Sequence, residues 1–292
     1  MYAELCRRYA RDPVARELVA LQSGRRPLLA LLGGLHYLVL GGEATWDDPL
    51  EQHAEFLADY VQRQGVQTNE VQRLWVLLPL FLHATRGADV VDVVELGASG
   101  GLNLVFDRYR YGYEHGEWGA HDAALALSGT ERTPLPASLL AQRLPVRSRI
   151  GIDRAPVDVT TAEGARLLES FVWAGQTERA ANLRAAIDVV RDDPPTIVRG
   201  DITEALPELL ATLPDGGLTL VFQSSVFEYI DEDRRARVRE ALDKSGRDLV
   251  FVSTGQPRDE IRSWGMRIYR PGREREFVGH ADYHGTWLSY DL

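Results

Sequence analysis

Acids that close short apolar runs, and the glycines that follow the first of them, are the residues of this 292-residue chain best placed to do chemistry. Val90-Val91-Asp92-Val93-Val94-Glu95-Leu96 is rich in β-branched residues and too short for a typical helix. It reads as a strand buried on both faces of a parallel sheet. The run passes into Gly97-Ala98-Ser99-Gly100-Gly101-Leu102-Asn103, expected to be a tight turn leading into a helix. Gly97 and Gly101 would give the turn its conformational freedom and let backbone approach a ligand closely. The acid two residues before the first glycine sets this apart from the G-x-G-x-x-G dinucleotide fingerprint, which disfavours a nicotinamide-dependent oxidoreductase. Ser148-Arg149-Ile150-Gly151-Ile152-Asp153 and Thr196-Ile197-Val198-Arg199-Gly200-Asp201 end in acids in the same way. In nucleotide-binding α/β domains an acid after the second strand receives the ribose hydroxyls, about 20 residues beyond the glycine turn. An inserted stretch makes that spacing much longer for Asp153. Asp201 either meets a ligand or caps a helix from Ile202 to Leu210, and both readings stay open here.

Elements must hold these residues in place. Residues 1–87 read as a helical lobe, with helices over Tyr2–Leu21, Leu28–Leu40 (interrupted at Gly33-Gly34), Asp47–Arg63, and a last one running through Leu82. The last delivers the chain straight into Val90. Its polar start, with Asn69 and Arg73, is therefore expected near the glycine turn, where both are candidates for touching substrate. Residues 88–292 form the α/β part, broken at about 107–149 by an insertion over the ligand cleft. Tyr109 and Tyr111 of that insertion either line a substrate pocket or pack it. Leu218 to Ser225 is a fourth strand with Gln223 and Ser224 at its carboxyl end, Arg247 to Ser253 a fifth, and strands near 266–270, 276–280 and 286–290 close the sheet antiparallel.

Composition narrows the class. Hydrophobic residues make up 45% and charged residues 26%, ordinary for a globular protein. A formal net charge of −10 disfavours non-specific binding to nucleic acid or anionic membrane. Cys6 is the only cysteine, so one chain can build no disulfide or cysteine-based zinc site. Arg7, Arg8, Arg11 and Asp12 interrupt the apolar core a signal peptide needs, and no stretch has transmembrane length, so a cytoplasmic home is expected. His280 and His284 are four apart in a glycine-rich strand-and-turn region without a third ligand, so no metal is expected there.

Glu95-x-Gly97-x-x-x-Gly101 resembles the first motif of class I S-adenosylmethionine (SAM)-dependent methyltransferases, with Ser99 where their common form has another glycine. Taken with Gln67-Thr68-Asn69-Glu70, Gly151-Ile152-Asp153, Arg199-Gly200-Asp201 and Phe222-Gln223-Ser224-Ser225, it resembles a bacterial family catalogued as domain of unknown function 2332. The resemblance implies a Rossmann-like α/β methyltransferase sheet, mostly parallel with an antiparallel last strand, beside the N-terminal helical lobe. It also implies SAM as cofactor, held at Glu95, Gly97, Ala98, Ser99, Gly101, Asn103, Asp153, Asp201, Ile202, Gln223 and Ser224. Methyl transfer needs an acceptor aligned behind the methyl group rather than a protein nucleophile, which agrees with the lack of a Ser/His/Asp order. Glu228, Tyr229 and His36, with its neighbour Tyr37, are the candidates for orienting or deprotonating a small-molecule acceptor. The competing expectation is a non-catalytic protein of methyltransferase fold that binds SAM, S-adenosylhomocysteine or a partner.

Overall fold

The computed structural model describes residues 2–21, 26–255 and 263–291, which form two compact units. The first comprises Met1–Asn69 with Val157–Arg184, and the second Glu70–Pro156 with Ala185–Leu292. The boundary thus falls before the last helix of the expected lobe rather than at 87/88. A discontinuous segment, 157–184, also joins the helical unit.

The first unit is helical. Helices α1 (Tyr2–Tyr9) and α2 (Pro13–Ala20) replace the single expected helix, because Pro13 sits at a helix start and Asp12 caps it, accepting from Ala15 N–H at 3.0 Å. Helix α3 (Pro27–Leu40) runs unbroken through Gly33-Gly34. A Cβ at Gly33 would come within 2.6 Å of the Phe171 ring, and one at Gly34 within 2.9 Å of Tyr60. The glycines let neighbouring elements approach closely; they do not end the helix. Helix α4 (Ala54–Arg63) and α7 (Ala162–Ser170) complete the packing around Leu31, Leu35, Leu57 and Val61. His36 is buried here, its Nδ1 3.0 Å from the Ser170 carbonyl, and burial lowers its pKa. Tyr37 stacks on Phe56 and lies under the Arg166 guanidinium. Both pack within the helical unit.

The second unit is mixed α/β. Its large sheet is built from β1 (Val91–Leu96), β5 (Thr130–Glu131), β6 (Val146–Asp153), β7 (Thr196–Arg199), β8 (Leu218–Gln223), β9 (Leu249–Gly255), β10 (Trp264–Tyr269), β11 (Glu276–Ala281) and β12 (Trp287–Tyr290). The strand order is β5-β12-β11-β10-β9-β8-β1-β6-β7. From β7 to β9 every neighbouring pair is parallel. Beyond β9 the chain folds back three times, so β10, β11 and β12 each run antiparallel to the strand before, matching the three closing strands read from the sequence and exceeding the one antiparallel last strand that the resemblance implied. Strands β1 and β8 are buried along their whole length, as their near-continuous apolar runs require. Helices α8 (Thr177–Asp192), α9 (Ile202–Thr212) and α10 (Glu232–Lys244) connect strands, and α8 carries the chain from the helical unit into this one. Among the described residues, no helix is long and apolar enough to cross a membrane.

Helix α5 (Arg73–Ala84) fixes the geometry of this unit. Its twelve residues span about 18 Å, and the chain then turns back along β1. The start of α5 therefore lies at the carboxyl end of β1 and its end at the amino edge, where Arg270 donates to the Ala84 carbonyl at 2.6 Å. Pro79, inside α5, has no N–H for the Trp75 carbonyl. That carbonyl instead accepts from the Tyr113 hydroxyl at 2.7 Å, and the Val76 carbonyl accepts from Tyr290. The insertion supplies Tyr113 from a small sheet of β2 (Arg110–Tyr113), β3 (Gly116–Trp118) and β4 (Ala126–Ser128), followed by β5 and a short α6 (Ala137–Leu140).

Candidate functional site

Strand order reverses at β1: the chain goes outward through β6 and β7 on one side, then returns to β8 and β9 on the other. In open α/β sheets, ligands bind beyond the carboxyl ends of the strands at such a reversal. Glu95, Gly97, Asp153, Gln223 and Ser224 all stand at that edge.

The glycine turn is held in a left-handed conformation. Gly97 has φ +78°, Gly101 +75°, and Ser99, the sole described non-glycine with positive φ, +51°. A Cβ on Gly97 would lie 2.7 Å from Val226, and one on Gly101 2.8 Å from Pro195, so both positions exclude a side chain on two grounds. The N–H groups of Gly97 and Ala98 extend the β1–β6 ladder by donating to the Ile152 carbonyl at 2.8 and 3.2 Å. Gly151, opposite, has the Ala98 methyl 2.5 Å from where its own Cβ would stand. The expected helix after the turn does not form. Tyr109 donates to the Leu102 carbonyl and Tyr111 to the Phe106 carbonyl, each at 2.8 Å, so phenols satisfy carbonyls that helical N–H groups would have taken. Tyr109 and Tyr111 are fully buried, and burial pushes both phenols far up. Both stand in the core, as the packing alternative expects.

Beside this turn lies a pair of polar groups with unused capacity. Glu95 is 1% exposed and Asn103 likewise. Asn103 Nδ2 donates to Glu95 Oε1 at 3.2 Å, leaving Glu95 Oε2 and Asn103 Oδ1 buried with no partner among the described residues. Burial pushes the Glu95 carboxyl well above the usual range; the Asn103 bond and the Arg73 charge oppose this, and the Asp153 charge adds to it. Two orphan acceptors call for a donor, and a cationic one would satisfy both hydrogen bonding and charge.

Asp153 reaches the crevice but is already engaged. Its Oδ2 accepts from Ser99 N–H and its Oδ1 from Ala155 N–H, each at 2.8 Å. It braces the strained Ser99, and each oxygen keeps a further lone pair. Asp201 resolves toward the capping reading: its Oδ1 accepts from Thr203 N–H at 3.0 Å and its Oδ2 pairs with Arg234. Ile202 packs into the core with Leu206 and Leu210. Gln223 is buried, donating to the Thr254 carbonyl and accepting from Phe227 N–H at 3.4 Å, so its amide ties down the loop after β8. Through these contacts Asp201, Ile202 and Gln223 support the loops at the strand ends. Ser224, nearly buried, lends its carbonyl to the Thr254 hydroxyl at 2.8 Å.

On the β8–β10 side a second cluster forms. Arg73 is 1% exposed; its guanidinium lies 4.6 Å from the Trp264 ring and 4.9 Å from that of Tyr283, and its Nε donates to the Tyr283 carbonyl at 3.2 Å. The Tyr283 hydroxyl is 3.3 Å from both Glu228 Oε2 and Ser225 Oγ, and Trp264 Nε1 donates to Glu228 Oε1 at 3.2 Å. Sequence reasoning placed Arg73 and Glu228 but missed Trp264, Tyr283 and Ser225 as their partners. The one signal was a turn dense in polar and aromatic residues, Asp282-Tyr283-His284-Gly285-Thr286-Trp287. There Asp282 Oδ2 accepts from His284 N–H and from Thr286, fixing the turn that presents Tyr283. Tyr229 is exposed. Asn69 is buried as the last residue of the helical unit.

The chain belongs to the bacterial family described as "Uncharacterized protein conserved in bacteria (DUF2332)", whose model matches residues 1–290. No curated protein matches it. Among solved structures it is similar to a S-adenosylmethionine-dependent methyltransferase from Clostridium acetobutylicum, at 12% identity over 80% of each chain with a TM-score of 0.28.

Proposed function

We propose that this protein is a SAM-dependent methyltransferase of Rossmann-like fold acting on a small-molecule acceptor in the cytoplasm, without nucleic acid or membrane as partner. One observation carries the reading: the buried, orphaned Glu95 Oε2 and Asn103 Oδ1, set beside a left-handed glycine turn at the carboxyl end of the central strand. These acceptors suit the α-ammonium of the methionyl part of SAM. Gly97, with no Cβ, lets the backbone approach that part closely, and Asp153 has lone pairs left for ribose hydroxyls. SAM would supply a sulfonium-bound methyl group as the electrophile. The chain's own work is to hold donor and acceptor in line and exclude water, which alone can supply much of the rate. Glu228 and Tyr283, hydrogen-bonded to each other on the β8 side, are the pair positioned to take a proton from an acceptor.

A reading as a binder without turnover is favoured by one feature, the internal partners of Asp153 and Asp201. Two measurements separate the readings. Isothermal titration should show S-adenosylhomocysteine binding the wild type, and Glu95→Gln should weaken it by at least about tenfold while circular dichroism stays native. Methyl-labelled SAM incubated with pooled small metabolites should then yield a labelled product; binding without any product would leave the binder, and no binding would end both.

A further inference from the structure

We propose that the methyl acceptor is a small carboxylic acid whose carboxylate is received by Arg73 in the cage formed by Trp264 and Tyr283. The word acceptor rests on the methyltransferase reading; the anion site itself does not.

Arg73 carries an uncompensated charge. A buried guanidinium normally has a carboxylate beside it, because desolvating a lone charge is costly. Arg73 has none within ion-pair distance among the described residues. Among the described residues its side-chain hydrogen bond uses Nε, on the Tyr283 carbonyl, and the fork of terminal nitrogens has no acceptor there. Two aromatic faces and the Nε bond fix the plane of the group, the preorganised form in which arginine binds a carboxylate through two parallel bonds. Lysine could not reproduce that fork.

Position separates this charge from the donor's subsite. The glycine turn and Asp153 lie on the β1–β6 side of the strand reversal, whereas Trp264, Tyr283, Ser225 and Glu228 belong to the β8–β12 side. Arg73 stands close enough to Glu95 for its charge to be felt there, so the cage adjoins the donor site without belonging to it. Glu228 would repel an anion if its oxygens faced outward, but they accept from Trp264 Nε1 and the Tyr283 hydroxyl.

The test uses the full chain with benzoate as probe and benzamide as its uncharged isostere. Titration of the wild type should show benzoate binding at least about tenfold more tightly than benzamide, the value of one charge-assisted pair. Equal binding of the two would overturn the proposal, and that comparison needs no variant. Arg73→Lys should weaken benzoate by about tenfold while changing S-adenosylhomocysteine affinity less than twofold. If Arg73→Lys instead loses S-adenosylhomocysteine but keeps 5′-methylthioadenosine, which lacks the amino-carboxylate, then Arg73 serves the donor and the proposal fails. A wild type that binds benzoate but not S-adenosylhomocysteine would retain the anion site and refute the methyltransferase reading alone.

Discussion

Glu95 and Asp92 show how two buried acids of one strand can reach opposite electrostatic balances. Asp92, three residues earlier on β1, is as deeply buried, and burial pushes its carboxyl up. Arg147 and Ser148, which donate to its oxygens at 3.0 and 2.6 Å, outweigh burial and hold it below the usual range. Glu95 has the opposite balance: its folded-state pKa is raised, so the folded protein binds more protons there than the unfolded chain. Its contribution to stability is therefore fully present below the ordinary glutamate value and is lost as pH rises through the raised one. A cationic ligand prefers the ionised carboxylate. Affinity for S-adenosylhomocysteine should thus climb as pH rises over that window, with proton release seen as a dependence of the titration heat on buffer ionisation enthalpy. Glu95→Gln should remove the pH dependence and cost at least about tenfold in affinity. It should unfold in urea no earlier than wild type at pH 8. An unaltered affinity would reduce Glu95 to a brace for Asn103.

Among the elements, β1, β8 and the acids at strand ends were legible because a buried parallel strand writes its own apolar run. The turn's left-handed glycines were legible for the same local reason. Its missing helix was not, since the phenols that replace helical bonding arrive from Tyr109, just before β2, and Tyr111, within it. Nor did periodicity reveal that Asp201 would find Arg234, 33 residues on. Helix α5 carries the same lesson in testable form. Pro79 opens the Trp75 carbonyl, and Tyr113 closes it. Tyr113→Phe should therefore cost about 1–3 kcal/mol in urea denaturation, the range for a buried acceptor left unsatisfied. In a Pro79→Ala background an N–H becomes available to that carbonyl, and the cost of Tyr113→Phe should shrink. Equal costs in both backgrounds would mean the phenol stabilises by packing on Trp75 alone, with which it stacks at 5.4 Å.

At the scale of the whole molecule, the decisive feature is where α5 belongs. Its helical pattern and place in the chain group it with the preceding helices, and the sequence marks a boundary at Gly87-Ala88. The packing assigns it to the sheet: Trp75, Leu78, Phe81 and Leu82 are all buried, and Phe81 meets Phe106 and Phe222 at ring separations of 5.0 Å. Amphipathic helices reveal which face is buried but not against what, so this assignment needed three dimensions. It also decides which shortened chain can fold. Removing residues 1–87 strips α5 from the sheet and uncovers four large apolar side chains' worth of core, with roughly 1.5–3 kcal/mol lost for each. Such a loss is comparable to the whole stability of a domain. A chain of residues 88–292 should therefore lack a cooperative thermal transition and near-ultraviolet dichroism. A chain joining residues 70–156 to 185–292 through a short linker keeps the whole second unit with α5, Arg73 and its cage, and should retain both signals along with benzoate binding. Cooperative unfolding of the 88–292 chain would show that α5 is dispensable to the sheet and return the boundary to 87/88.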